Sequence, residues 1–182
     1  KITNMDNIFS EARTFNQDLS KWIVDKVTSM NHMFRHALKF NSDLSKWQTG
    51  QVTNMGDMFI AYEFNGDISK WDVSKVSNVG EIFNGAQKFN ADISKWNVGK
   101  ISSWRNSFRG AALFNRDLSK WDISKVSSGG LGIMFYGTRS FNFKKALDVA
   151  WEAKNPNAYP GENMYQYSCA IDPACGKCGK KN

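Results

Sequence analysis

Two histidines, three cysteines and recurring columns of aspartate and lysine are the residues that could do chemistry in this 182-residue chain. His32 and His36 form His-Met-Phe-Arg-His, an i, i+4 pair that would offer two imidazoles to one metal ion if helical. A metalloprotease built this way needs a glutamate after the first histidine, and Met33 stands there, so both are read as outward surface residues. Asp18, Asp43, Asp67, Asp92 and Asp117 recur at near-constant intervals. Glycoside hydrolysis needs two non-equivalent carboxyls in one cleft. A column of equivalent ones suits backbone hydrogen bonds at a turn instead.

Lys21, Lys46, Lys70, Lys95 and Lys120 recur on the same beat, and Lys26, Lys75, Lys100 and Lys125 form a second basic row. Asp72 and Asp122 beside them offset part of the charge. These seven residues, the first lysine row with its two aspartates, are the candidate partner-binding strip. An acidic protein face or a sulfated glycan would suit it; without a partner the row is a solvated edge that discourages aggregation. Cys169, Cys175 and Cys178 lie near the end. Zinc would need a fourth ligand, and thioredoxin-like chemistry a βαβ setting. The remaining reading is one local disulfide, with the third thiol free or paired to another chain, in an oxidising compartment. No catalytic residue, metal site or cofactor is assigned, and an enzyme is not expected.

The elements that position these residues follow from a repeat. Phe-Asn recurs at Phe15, Phe40, Phe64, Phe89, Phe114 and Phe141, and tryptophan keeps time at Trp22, Trp47, Trp71, Trp96 and Trp121. A second phenylalanine column runs through Phe9, Phe34, Phe59, Phe83, Phe108 and Phe135. A unit of ~25 residues cannot bury its own aromatic rings, so about five units must stack into one shared interior. The asparagines Asn16, Asn41, Asn65, Asn90 and Asn115 would form an inward ladder that satisfies turn backbone. With the aromatic residues committed to the interior, nucleic acid is not an expected partner.

Leu118-Ser-Lys-Trp121-Asp-Ile123 and its counterparts carry apolar residues at relative positions 1, 4 and 6, the spacing of a leucine-rich repeat. Its x-Trp-x-Val portion predicts a short parallel strand. Met30, Met33, Phe34 and Ala37 keep a helical period, which predicts a short helical or 3-10 turn. The expected fold is thus a leucine-rich-repeat-like solenoid over 1–142, with short parallel strands on one face. Residues 143–182 would form a C-terminal capping helix and a cysteine-containing tail. Lys1-Ile-Thr-Asn-Met5 matches Lys26-Val-Thr-Ser-Met30, so the chain starts inside a unit, as a partial or processed form of a longer precursor would.

Phe64-Asn65-Gly66-Asp67-Ile68-Ser69-Lys70-Trp71-Asp72-Val73-Ser74, followed by Val76, resembles the units of the BspA-like leucine-rich-repeat surface proteins. That resemblance covers roughly residues 1–142. It implies a non-enzymatic, secreted or surface-attached protein used for adhesion or protein contacts. Two alternatives stand beside it, an accessory structural subunit of a larger assembly and a polysaccharide-binding module. No apolar run is long enough to span a bilayer as a helix.

Overall fold

Consecutive turns of three-residue reach close the chain around its aromatic side chains in the computed structural model, which describes residues 1–158 and 161–165. Trp47 N–H donates to Leu44 O at 3.1 Å and Val52 N–H to Thr49 O at 2.8 Å. The same two turns recur as Ile68–Trp71 with Val73–Val76, and as Ile93–Trp96 with Val98–Ile101. The Leu-x-x-Trp-x-Val spacing is therefore that of turn flanks pointing inward. A second series follows in the methionine and phenylalanine segment. Met33 donates to Met30 O, Arg35 to His32 O and Ala37 to Phe34 O, at 3.1–3.2 Å.

Between those turns, every second N–H leaves the coil. Met30, His32, Phe34 and His36 donate to the carbonyls of Asn54, Gly56, Met58 and Ile60 in the next coil, at 2.9–3.0 Å. An α-helix would send each N–H back to its own chain four residues earlier. Here His32 and His36 take positive φ values of 56° and 58°, which breaks any helix and turns the peptides outward.

These bonds correct the expected fold. Among the described residues there is no β-strand, only the isolated parallel bridges Asn4–Ser29, Ser29–Asn54 and Asn54–Asn78. No α-helix or 3-10 helix forms inside the repeats. The leucine-rich-repeat-like solenoid of parallel strands and helical turns is overturned, and the molecule is a stack of turn-built coils. The physical reason is that a three-residue turn returns side chains to one side at i and i+3, as a helix does. Two turns in tandem also mimic the alternation of a strand.

Aromatic columns run through the stack. Neighbouring rings of the Phe9, Phe34, Phe59, Phe83, Phe108 and Phe135 column lie 5.4–5.8 Å apart. The Phe15 to Phe141 column is spaced at 5.8–6.2 Å. Within a coil the two columns touch, at 3.7 Å for Phe34–Phe40 and 3.8 Å for Phe83–Phe89. Full burial of such a side chain contributes about 1.5–3 kcal/mol.

The single α-helix among the described residues, α1 (Lys144–Lys154), buries Leu147 and Trp151 against the last coil. Asn155 ends it because the following Pro156 disfavours helical backbone before it. Lys154 Nζ donates to Ser119 O and Trp121 O, and Asn155 Nδ2 to Ile123 O and Val126 O, at 2.8–3.1 Å. Side-chain donors thus meet carbonyls that have no further coil beside them among the described residues. A short 3-10 helix, Gly161–Met164, brings Met164 O to Phe135 N–H at 2.9 Å, and Tyr165 extends the phenylalanine column at 5.7 Å from Phe135. Among the described residues no helix is long and apolar enough to cross a membrane.

Candidate functional site

The tryptophans are locked by carbonyls that accept twice. Leu19 O takes the Trp22 N–H and the Trp47 indole N–H, both at 3.0 Å. Leu44, Ile68 and Ile93 repeat this for the indoles of Trp71, Trp96 and Trp121 at 3.0–3.2 Å. These four tryptophans are buried, whereas Trp22, in the first described coil, is 38% exposed. Trp47, Trp71, Trp96 and Trp121 are thus interior side chains and Trp22 is a partly exposed one.

The asparagine column also sits elsewhere than expected. Asn16, Asn41, Asn65, Asn90 and Asn115 lie at the rim, exposed or half-buried, not inside. Each Oδ1 accepts the backbone N–H of the asparagine one coil on, from Asn41 through Asn142, at 2.7–3.0 Å. The aspartates beside them accept the N–H of the serine two residues later, from Asp18–Ser20 to Asp117–Ser119, at 2.8–3.0 Å. Hydrogen bonds from those serines hold Asp18, Asp43, Asp67 and Asp92 below the usual carboxylate range. The backbone N–H contributes most at Asp18 and Asp92, the hydroxyl at Asp43 and Asp67.

Lys21, Lys46, Lys70, Lys95 and Lys120 are all exposed, each just before its tryptophan on the tip of a turn. None of the five forms an ion pair among the described residues. Asp72 and Asp122 accept the backbone N–H of Ser74 and Ser124 at 2.9 Å and are held below the usual range by those serines. Those bonds engage one oxygen of each aspartate in its own turn. Lys46, Lys70, Gln48 and Asp72 border an open groove of about 450 Å³ between coils. In the second basic row Lys26 pairs with Asp25 at 3.5 Å and Lys75 donates to Gln51 Oε1 at 2.8 Å.

The histidines do not converge on one point. His32 Nε2 lies 3.3 Å from Asp57, and His36 Nδ1 lies against Glu11 Oε1. That hydrogen bond is the main reason the Glu11 carboxyl is held low. Burial pushes the Asp57 carboxyl up, with the His32 charge opposing it. Among the described residues no group of three or more histidine, cysteine or acidic side chains could hold a metal ion. Cys169, Cys175 and Cys178, with the disulfide expected there, lie outside the described residues.

The left-handed positions escaped sequence reasoning. Asn7, His32, Asp57, Glu81, Asn106 and Ile133 share one column at φ of 54–62°. Glu11, His36, Gly85, Gly110 and Gly137 share a second at φ of 58–74°. Glycine, asparagine, aspartate and histidine are the residues that tolerate this region, so the composition of the columns was the available signal.

No curated protein matches the chain. The likeness to BspA-like leucine-rich-repeat surface proteins is corrected on two findings: the units hold neither strand nor helix, and the family model that matches is a different one. With matches over residues 1–78 and 58–171, the chain belongs to the family described as Mycoplasma protein of unknown function, DUF285.

Proposed function

We propose that the chain is a non-catalytic binding protein that docks an anionic partner along its lysine row. The observation that carries this reading is five exposed lysines, one per coil, none of them in an ion pair among the described residues. Ammonium groups about 5 Å apart repel by about 0.8 kcal/mol in water, and a polyanion laid along the row relieves that repulsion. The net charge of +7 favours the same class of partner. A sulfated glycan tests it directly. Binding to a heparin-type polysaccharide should weaken steeply with salt and fall at least about tenfold in the Lys70→Ala, Lys95→Ala double variant. An unchanged affinity in that variant overturns the reading.

A further inference from the structure

The tripeptide Phe-Asn-Gly occurs twice in the chain, at Phe64-Asn65-Gly66 and Phe83-Asn84-Gly85. An asparagine before a glycine can react with its own backbone. The glycine nitrogen attacks the asparagine Cγ and closes a five-membered ring, and glycine has no β-carbon to hinder the approach. Three atoms govern the reaction: the attacking nitrogen, the Oδ1 that gains negative charge in the tetrahedral intermediate, and the Nδ2 that leaves as ammonia. The local sequence is the same at both pairs, but the fold treats these atoms in opposite ways.

At Asn65 all three favour reaction. Neither the Gly66 N–H nor Asn65 Nδ2 donates a hydrogen bond among the described residues. Asn65 Oδ1 accepts the Asn90 N–H at 2.7 Å, so a backbone donor from the next coil already points at the oxygen on which charge develops. Asn65 is exposed and Gly66 half-buried, which gives solvent access to the pair. Asn16, Asn41, Asn90 and Asn115 share the Oδ1 donor, but Gln17, Ser42, Ala91 and Arg116 follow them and bring a β-carbon to the attacking residue. Packing holds the glycine in place: a β-carbon at Gly66 would meet Phe64 Cε2 and the Ser42 carbonyl oxygen at 3.1 Å. At Asn84 the same atoms are engaged. Gly85 N–H donates to Arg109 O at 2.7 Å and Asn84 Nδ2 to Glu81 Oε2 at 2.8 Å, while Oδ1 accepts no bond among the described residues. Reaction there has to break a short bond between coils and a charge-assisted one on the leaving nitrogen.

We propose that Asn65-Gly66 is a self-modification site at which the asparagine deamidates within the folded chain. Gly66 N bonds to Asn65 Cγ, the Cγ–Nδ2 bond breaks, and the Gly66 proton passes through solvent to the departing ammonia. Water then opens the succinimide. Opening at one carbonyl leaves an aspartate, which keeps an acceptor for the Asn90 N–H. Opening at the other leaves an isoaspartate with one extra main-chain atom, which breaks the register of the ladder from Asn41 to Asn90. Either product adds a negative charge to the rim. The inference is independent of the lysine row and of any partner.

Both pairs are followed in one sample. The full chain is held in mildly alkaline buffer with and without denaturant and then digested. Peptide mass spectrometry reads amide-to-acid conversion at each asparagine, and isoaspartate-specific fragmentation identifies the product. In the folded chain Asn65 should convert at least about tenfold faster than Asn84. In denaturant, where neither set of bonds exists, the two rates should agree within about twofold. Asn65→Gln should remove conversion at that position and leave the Asn84 rate unchanged. Equal rates in the folded chain, faster conversion at Asn84, or an Asn65 that stays intact while the denatured chain reacts overturns the proposal.

Discussion

Arg13 and Arg35 converge on Glu11 in the first two coils, while in the last three coils the same left-handed column holds Gly85, Gly110 and Gly137 and lines an open groove. The backbone does not distinguish the two regions. Its φ is 62° at Glu11 and 58° at His36, against 71–74° at Gly85, Gly110 and Gly137. Nor do the hydrogen bonds to the next coil: His36 N–H donates to Ile60 O at 2.9 Å, Gly85 N–H to Arg109 O at 2.7 Å. Main-chain bonds and buried rings build each coil, and the side chain on the left-handed position is left free to vary. One region spends that freedom on an internal ion pair and the other on an opening.

The largest effect should be the same in both regions. Phe34→Ala and Phe108→Ala each remove a fully buried ring from the same column and should each cost about 3–5 kcal/mol in denaturant unfolding. A clear inequality would mean that the coils are not packed alike. A smaller effect should separate residues by backbone tolerance. Ile133, β-branched at φ 57°, sits in a column that elsewhere holds Asn7 and Asn106. Ile133→Asn should stabilise by about 1 kcal/mol, and Gly110→Ala should destabilise by a similar amount, both read from melting temperatures.

The smallest effect is pH-dependent and belongs to the first region. A carboxyl whose folded pKa is depressed stabilises the fold above its unfolded value and loses that contribution as pH falls through the folded one. Glu11, held low mainly by its bond to His36, follows that sign. Asp57, pushed up by burial, has the opposite sign and is relieved by protonation. Acidification through about pH 5 to 3 should therefore lower the hydrogen-exchange protection factor of His36 N–H before that of Gly110 N–H. Glu11→Gln should remove the difference; simultaneous loss of both amides would show that the local pair carries no weight.

The period and the residues of the ring columns are legible in the sequence, because only aromatic side chains recur so strictly on both Phe beats. The conformation between the rings is not. Met30, Met33, Phe34 and Ala37 have a spacing that turns and helices share, and only the partner of each N–H separates the two. Trp22 carries the same local motif as Trp47, yet its exposure depends on a neighbouring coil that its own segment cannot specify. An inward asparagine column would satisfy turn backbone, and a rim position that bonds the next coil satisfies it equally well. Arg109 and Arg139 could not be singled out at all. They stand at variable positions of the unit, and only the fold brings them to one groove over the glycine column.

The bonds between coils do not all point one way. His32 and Phe34 donate toward the following coil, whereas Thr28, Lys39 and the Trp47 indole donate toward the preceding one. Peptide dipoles in the two series oppose each other along the long axis, unlike those of a helix, which add head to tail. The cancellation is partial, since Met30, His32, Phe34 and His36 donate forward in one coil against Thr28 and Lys39 donating back, so further coils would build a weaker end field than the same number of peptides in a helix. Long-range attraction of a charged partner would then come mainly from the ionised side chains, and charge-reversing substitutions should tune it against only a small backbone contribution.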